Sequence, residues 1–406
     1  MSVLSDPPSR RVLPLLVAAQ FCGTSLWFAV NAVMGDLQRD LALAPGAVGS
    51  LTSAVQLGFI AGTLVFALLA VADRHAPRAV FLLCAVLGAA CNAAAALWPA
   101  GALDLPTLWA LRAATGFFLA GIYPVGMKIA AACYPQGLGR ALGWLVGALV
   151  LGTASPHALR ALGADLPWQP VMLAVSALAL AGGAMVWFGV PTTPRSAGAG
   201  LQWRAFAAIG RDARLRASVL GYFGHMWELY TLWVLLPAIL ATRLAGAPLS
   251  FAAFAVIGAG ALGCVGGGAL VARLGGARVA AAQLGTSGVC CVLAPLALAA
   301  PDALFALWLA VWGISVAGDS PQFSALTATN APREAVGSVL TLVNCIGFAI
   351  SIVSIQLFVA LAQRHDLALL LPALGLGPLL GLWALRPLLG GGAAVQRASP
   401  VASSRR

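Results

Sequence analysis

Residues 12–33 read Val-Leu-Pro-Leu-Leu-Val-Ala-Ala-Gln-Phe-Cys-Gly-Thr-Ser-Leu-Trp-Phe-Ala-Val-Asn-Ala-Val, twenty-two positions without one charged side chain. About 20 apolar residues cross the hydrocarbon of a bilayer as a helix, so this stretch is long enough to span one. It follows Arg10 and Arg11 as a signal peptide would. It is nevertheless too long for one, lacks a small-x-small cleavage site, and is followed by many more runs of the same kind. It therefore reads as an uncleaved first helix. Working outward, proline, glycine and charge divide the chain into further spans at 46–70, 78–98, 106–132, 138–160, 168–190, 217–241, 248–271, 278–299, 303–327, 336–361 and 368–389. That makes twelve in all, an all-α membrane protein.

Composition agrees with this reading. Of the 406 residues, 61% are hydrophobic and 9% charged, more apolar surface than a water-soluble chain of this size can hide. The net charge of +11 would suggest nucleic acid in a soluble protein, but here the charge sits in short loops on one side, and no nucleic-acid partner is expected. The eight cysteines fall mostly inside apolar runs, with no CxxC or Cys/His spacing for a metal or a disulfide framework. No metal and no cofactor are expected.

Eighteen of the 23 Lys and Arg residues fall at one face of the expected spans. Arg39, Arg160, Arg243 and Arg364 fall at the other, and Arg112 lies within a span. By the positive-inside rule, both termini and a basic connector at 191–216 are cytoplasmic. The expected organisation is a first bundle over 1–190, the connector, a second bundle over 217–389 and a disordered tail over 390–406. An inner-membrane, multi-pass, monomeric protein follows, with the lipid bilayer as its standing partner.

The two bundles repeat each other. Ala120-Gly121-Ile122-Tyr123-Pro124 in helix 4 matches Ala317-Gly318-Asp319-Ser320-Pro321 in helix 10. Asp73-Arg74-His75-Ala76-Pro77-Arg78 after helix 2 corresponds to Ala272-Arg273-Leu274-Gly275-Gly276-Ala277-Arg278 after helix 8. Tyr134-Pro135-Gln136-Gly137 and Ala331-Pro332-Arg333-Glu334 open helices 5 and 11. Three matches in order indicate a six-plus-six duplication. Such repeats fit alternating access around a midplane site.

These residues resemble the major facilitator superfamily, the resemblance covering the whole chain. Its loop between helices 2 and 3 carries G-x-L-a-D-r-x-G-r-[RK], of which Gly62, Asp73, Arg74 and Arg78 are present. The resemblance implies a cytoplasmic gate there, with Asp73 pairing with arginines and capping the neighbouring helix. Ala272 replaces the acid in the second half. Arg112-Ala113-Ala114-Thr115-Gly116 is similar to the family's R-x-x-x-G pattern in helix 4. Gly143, Gly147, Gly152 and Pro156 partly resemble the glycine-proline motif of antiporters, and close packing of small residues explains them equally. In this fold, two six-helix bundles related by a pseudo-two-fold axis place helices 1, 4, 7 and 10 around a central cavity.

Intramembrane polarity concentrates on those four helices. Glu228 and Asp319 are the two acids well inside apolar spans, where an ionised group must face water, a partner or a proton. Helix 7 places Tyr222, His225, Glu228 and Thr231 three apart, which is read as one face. Helix 10 places Trp312, Ser315, Asp319 and Gln322 at steps of three and four, helix 1 offers Gln20, Thr24, Trp27 and Asn31, and helix 4 aligns Arg112, Gly116 and Tyr123. Trp27, Trp227, Trp233, Trp312 and Tyr123 suit an aromatic wall for an amphipathic or cationic solute. His225 and Asp319 each lie about 12 Å from the same end of their helices, and Glu228 about one turn deeper. Burial disfavours the charge of a carboxylate and a facing histidine favours it, which is what proton coupling requires. Glu228 is the first candidate for the coupling proton, Asp319 the second, with His225 as modulator. Lys128 reads as a positive-inside residue.

The expected activity is secondary transport of a small organic solute, with protons as the coupling ion. Carriers of inorganic anions or metal ions in the same fold stay open as alternatives, although helix 8 has no charge before Arg273 and no repeated His-x-x-x-Met appears. From another class, a membrane sensor without transport remains. No HExxH or GxSxG marks an intramembrane enzyme, and no catalytic residue is expected.

Overall fold

The computed structural model describes residues 11–99, 101–134, 138–192, 200–202 and 204–390. The expected tail beyond Gly390, the connector segment holding Arg195 and the start of the chain with Arg10 lie outside these. Among the described residues every regular element is a helix. Helix 1 is Val12–Thr24, continued by Ala29–Ala32 and Met34–Asp40. Helix 2 is Ala47–Leu68, helix 3 Pro77–Leu97, helix 4 Leu105–Leu119 with Tyr123–Cys133, helix 5 Leu138–Leu162 and helix 6 Trp168–Gly189. A connector helix, Arg204–Arg211, precedes helix 7 at Ala213–Leu240. Helix 8 is Gly246–Leu274, helix 9 Gly276–Ala299, helix 10 Asp302–Gly318 with Ser320–Asn330, helix 11 Val336–Ala362 and helix 12 Leu367–Leu374 with Leu376–Leu389.

Eleven of these are long and apolar enough to cross a membrane, and Val12–Thr24 is a shorter apolar helix. Twelve crossings return the chain to the side on which it began, here called the terminal side, opposite the far side. Large apolar side chains such as Leu97, Phe188, Leu296 and Trp383 are exposed on the outer surface, as a lipid-facing perimeter requires.

The expected spans are all present, and the structure differs from them mainly by interrupting four. Helices 4 and 10 break at equivalent places, just before Pro124 and Pro321. Proline has no N–H to give the carbonyl four residues earlier. In helix 10 that carbonyl belongs to Ala317, and it accepts instead from Cys264 Sγ at 3.3 Å. In helix 1, Thr24 Oγ1 donates to the Gln20 carbonyl at 2.8 Å and Ser25 Oγ to that of Cys22 at 2.7 Å. Hydroxyls that capture helix carbonyls weaken the helical ladder, and the chain leaves it between Thr24 and Ala29. Helix 12 pauses at Gly375.

Helices 1–6 form one bundle and helices 7–12 the second. Glycines set the closest crossings within each. A Cβ on Gly58 would lie 1.8 Å from the Ala113 carbonyl oxygen, and one on Gly116 1.9 Å from that of Val55, so helices 2 and 4 touch backbone to backbone. Gly224 does the same in the second bundle, 2.4 Å from the Gly377 carbonyl of helix 12. Small residues permit such approach where no hydrophobic force separates protein from lipid. The bundles meet along two seams, helix 2 against helix 11 and helix 5 against helix 8.

Candidate functional site

At the centre of the interface, rings from both bundles interlock. Trp27 of helix 1 lies 4.9 Å from Phe59 of helix 2, 5.9 Å from Tyr230 of helix 7 and 5.3 Å from Phe348 of helix 11. Phe28 meets Trp233 edge-on at 5.9 Å. From this cluster toward the far side the helix 2–helix 11 seam is clasped by polar pairs. Ser351 Oγ donates to Gln56 Oε1 at 3.0 Å, and Gln356 Nε2 to Ser53 Oγ at 2.7 Å. Asn31 Nδ2 donates to Thr52 Oγ1 at 2.8 Å within the first bundle. The hydroxyls of Tyr123, Tyr222 and Tyr230 lie within electrostatic reach of one another, and Tyr222 donates to Asn344 Oδ1 at 3.0 Å.

Beside this cluster sits a buried pair. His225 Nδ1 is 2.8 Å from Asp319 Oδ1, with the two side chains 1% and 0% exposed. Rings of Tyr222 and Phe323 flank the imidazole. His225 Nε2 and Asp319 Oδ2 have no hydrogen-bond partner among the described residues. Asp319 occupies the break in helix 10.

Glu228 is turned elsewhere. Its Oε1 accepts from Trp312 Nε1 at 2.7 Å and from Cys291 Sγ at 3.3 Å, and its Oε2 from Ser287 Oγ at 2.9 Å. It is thus enclosed by helices 9 and 10 inside the second bundle. Thr231, one further step along, donates to Ser354 Oγ of helix 11, and Trp227 packs on Phe358 of that helix and beside Gly377 of helix 12. The expected single face of helix 7 is therefore not one. A step of three residues turns about 300° around a helix, so each step drifts roughly 60°, and three steps carry the stripe from the interface to the back. The residues of helix 7 whose rings meet rings of the first bundle are instead Tyr230 and Trp233.

Arg112 does not face an open cavity. It is 1% exposed, and its guanidinium spans the break in helix 1, donating to the carbonyls of Leu26 at 3.0 Å and Trp27 at 2.6 Å, and to Asn92 Oδ1 at 3.3 Å. The planar fork of an arginine suits two adjacent acceptors. Gln20 is fully buried against helix 4, with both amide atoms lacking partners and Gly126 beside it. Ser315 donates to carbonyls of its own helix, and Gln322 to that of Gly318. In the loop after helix 2, Asp73 pairs with Lys128, whose ammonium also donates to the Ala72 carbonyl at 2.6 Å. Lys128 is thus a partner of the loop, where an arginine was expected. The N-cap position of helix 3 is Ala76. Arg78 stacks over Trp187 at 5.1 Å, and Arg74 ends the short turn Val71–Arg74.

Several interface residues carry no sequence signal. Phe59, Phe348 and Tyr230 look like ordinary apolar positions until the bundles are docked. His157 of helix 5 is 2% exposed with Nε2 unpartnered, and its only hint is a histidine inside an apolar run. Among the described residues no group of three His, Cys, Asp or Glu is placed to hold a metal.

Residues 16–355 match the Major Facilitator Superfamily. The chain belongs to that superfamily. The human organic anion transporter MFSD10 superposes on this major facilitator protein with a TM-score of 0.71 at 17% identity, covering 94% of this chain and 100% of that one. The proton:xylose symporter XylE of E. coli gives 0.70 at 12% identity, covering 93% and 95%. These likenesses show the fold. A chloramphenicol resistance protein of Streptomyces lividans is 36% identical over 173 residues, 41% of this chain and 42% of that relative. The alignment therefore spans less than half of that relative's length.

Proposed function

We propose that this superfamily member is a proton-coupled secondary transporter that exports a small organic solute by alternating access, with the His225–Asp319 pair as its coupling site. The observation that carries the reading is that pair: a buried carboxylate and imidazole in direct contact, each with an unpartnered atom, at a helix break beside the interface. A proton moving onto Asp319 removes the attraction for a charged His225, and a proton leaving restores it. Loading and unloading can thereby be tied to which side of the interface is open. Glu228, already supplied with three donors inside one bundle, serves as a structural anchor for helices 7, 9 and 10. This reverses the order expected from sequence, because Asp319 adjoins the moving surface and Glu228 does not.

The arginine bias supports placing the terminal side in the cytoplasm, so the clasped far side is the outer one and the inward face is the one from which solute is taken up. Export is also the direction suggested by a resistance protein among the relatives. The interface rings favour an aromatic solute, and the sequestered Arg112 leaves no free guanidinium there for an anion. The test is uptake into inverted proteoliposomes driven by an imposed proton gradient, with chloramphenicol as first probe. Asp319→Asn is expected to abolish gradient-driven transport while solute exchange persists, and Glu228→Gln to retain gradient-driven transport. Full gradient-driven accumulation by Asp319→Asn would sink the assignment.

A further inference from the structure

On the terminal side, the connector helix Arg204–Arg211 forms one wall of a cleft of about 590 Å³ that the transport reading does not use. Four of its residues line the cleft: Arg204, Ala207, Ala208 and Arg211. Their spacing of three, four and seven puts them on a single stripe. The arginines stand at its two ends, about 10 Å apart along the axis, and the alanines between leave room for a ligand. Asn330 and Pro332, at the end of helix 10 and the loop after it, form the facing wall.

The charge in the cleft is unbalanced. Arg204 and Arg211 are exposed and have no hydrogen-bond or ion-pair partner among the described residues. The one acid in the lining, Asp212, is already the N-cap of helix 7, with Oδ1 accepting from the backbone N–H groups of Arg214 and Leu215 at 2.8 Å each. Arg214 lies behind, its Nε donating to Asn330 Oδ1 at 3.4 Å. The connector helix is anchored by Ile209 and Ala208, which pack on the core, while Arg204 and Arg211 at the ends of the stripe stay exposed. The two arginines thereby line the cleft beside the first turn of helix 7, where its apolar span begins.

We propose that this cleft binds a phosphate-bearing anion between Arg204 and Arg211, tying the connector to the ends of helices 7 and 10. Arginine forks recognise phosphate oxygens by paired hydrogen bonds, and basic pockets at this depth attract anionic headgroups. The phosphate can come from a phospholipid headgroup or from a soluble phosphate compound. Binding there restrains the one covalent link between the bundles, and so sets how freely they move.

The full-length protein is placed in nanodiscs of phosphatidylcholine with and without phosphatidylglycerol, and bound lipid is measured by native mass spectrometry. Arg204→Gln with Arg211→Gln is expected to weaken phosphatidylglycerol binding roughly tenfold to thirtyfold, about fivefold per arginine near an anionic surface. Arg273→Gln with Arg278→Gln, exposed on the same side, is expected to cause a clearly smaller loss, since it removes general surface attraction but no pocket. Ala207→Leu, which fills the groove and keeps every charge, is expected to weaken binding as well. In a second arm, inorganic pyrophosphate is titrated into detergent-solubilised protein. Binding there with the same Arg204 and Arg211 dependence, and none to lipid, assigns the soluble source. Equal losses in both arginine double variants, or no loss in either arm, overturns the site.

Discussion

The far-side clasp offers a direct test of whether the two bundles separate along the helix 2–helix 11 seam. On the far side it is held by Ser351 Oγ donating to Gln56 Oε1 and Gln356 Nε2 donating to Ser53 Oγ. A net hydrogen bond between neutral groups is worth about 0.5–1.5 kcal/mol, and side-chain bonds between membrane helices average about 0.6 kcal/mol. Removing both by Gln56→Ala with Gln356→Ala therefore costs the closed state about 1–2 kcal/mol. Ser351 is not orphaned, since its hydroxyl also donates to the Phe348 carbonyl at 2.9 Å. A loss of this size shifts the closed-to-open ratio of the far side by roughly 5–30-fold. Ala44 and His365 are exposed and lie two residues from Gly46 and Gln363, which adjoin across the seam. Spin labels at these positions, with the half-buried Cys91 replaced by serine, report the opening by electron paramagnetic resonance. The double variant is expected to gain a long-distance population. An unchanged distance distribution in a protein of unaltered thermal stability would refute the clasp as a gate.

Further expectations concern single sites. Gly58→Ala drives a methyl into the Ala113 carbonyl and is expected to destabilise the first bundle by about 1–3 kcal/mol or more, read as a lowered Tm in detergent, whereas Gly143→Ala at the helix 5–helix 8 seam should leave Tm within error. Arg112→Lys loses the planar head that joins the Leu26 and Trp27 carbonyls, both served by Nη2, to Asn92, served by Nη1, and is expected to cost about 1.5–3 kcal/mol; an unchanged Tm would show that the break in helix 1 stands without it. Asp104 caps helix 4, accepting from Thr107 N at 2.9 Å, and its hydrogen bonds to Thr107, side chain first and backbone second, hold its carboxyl below the ordinary range. A depressed folded-state pKa contributes stability that is present above the unfolded value and lost as pH falls through the folded one. Asp104→Asn should therefore flatten the acid limb of Tm against pH below about 4.

The helices were legible in the sequence because bilayer thickness imposes a minimum length on a crossing, and ionisable residues enter the spans at few positions, Arg112, Glu228 and Asp319 among them. The paired breaks of helices 4 and 10 were half-legible, through Pro124 and Pro321. The break in helix 1 was not, since Leu26 and Trp27 are ordinary residues whose carbonyls are claimed by an arginine 85 positions away. The polar residues of helix 7 were found, but their directions were not. Spacing by three suggested a common face, and only docking against helices 9, 11 and 12 shows Glu228, Thr231 and Trp227 pointing away from His225. Phe59 and Phe348 were invisible for a different reason: hydropathy does not separate an apolar residue facing lipid from one facing the other bundle.

Glycine geometry also separates the parts of this machine that are fused from those that glide. Inside the bundles, Gly58, Gly116 and Gly224 leave no space for a methyl group; between them, Cβ atoms on Gly143 and Gly147 would sit 3.6 Å from the Cys264 carbonyl and 3.4 Å from Val265. Each bundle is thus a casting, while across the helix 5–helix 8 surface the glycine Cβ atoms would meet backbone no nearer than 3.6 Å and otherwise only side-chain tips, down to 3.2 Å at Gly260, which makes it a bearing. Stiff bundles lose little to internal flexing, so if the proposed coupling at His225–Asp319 holds, a change there is passed along helices 7 and 11 to the outer clasp. Wear should be asymmetric too: chance substitutions are tolerated on the bearing and rejected in the castings.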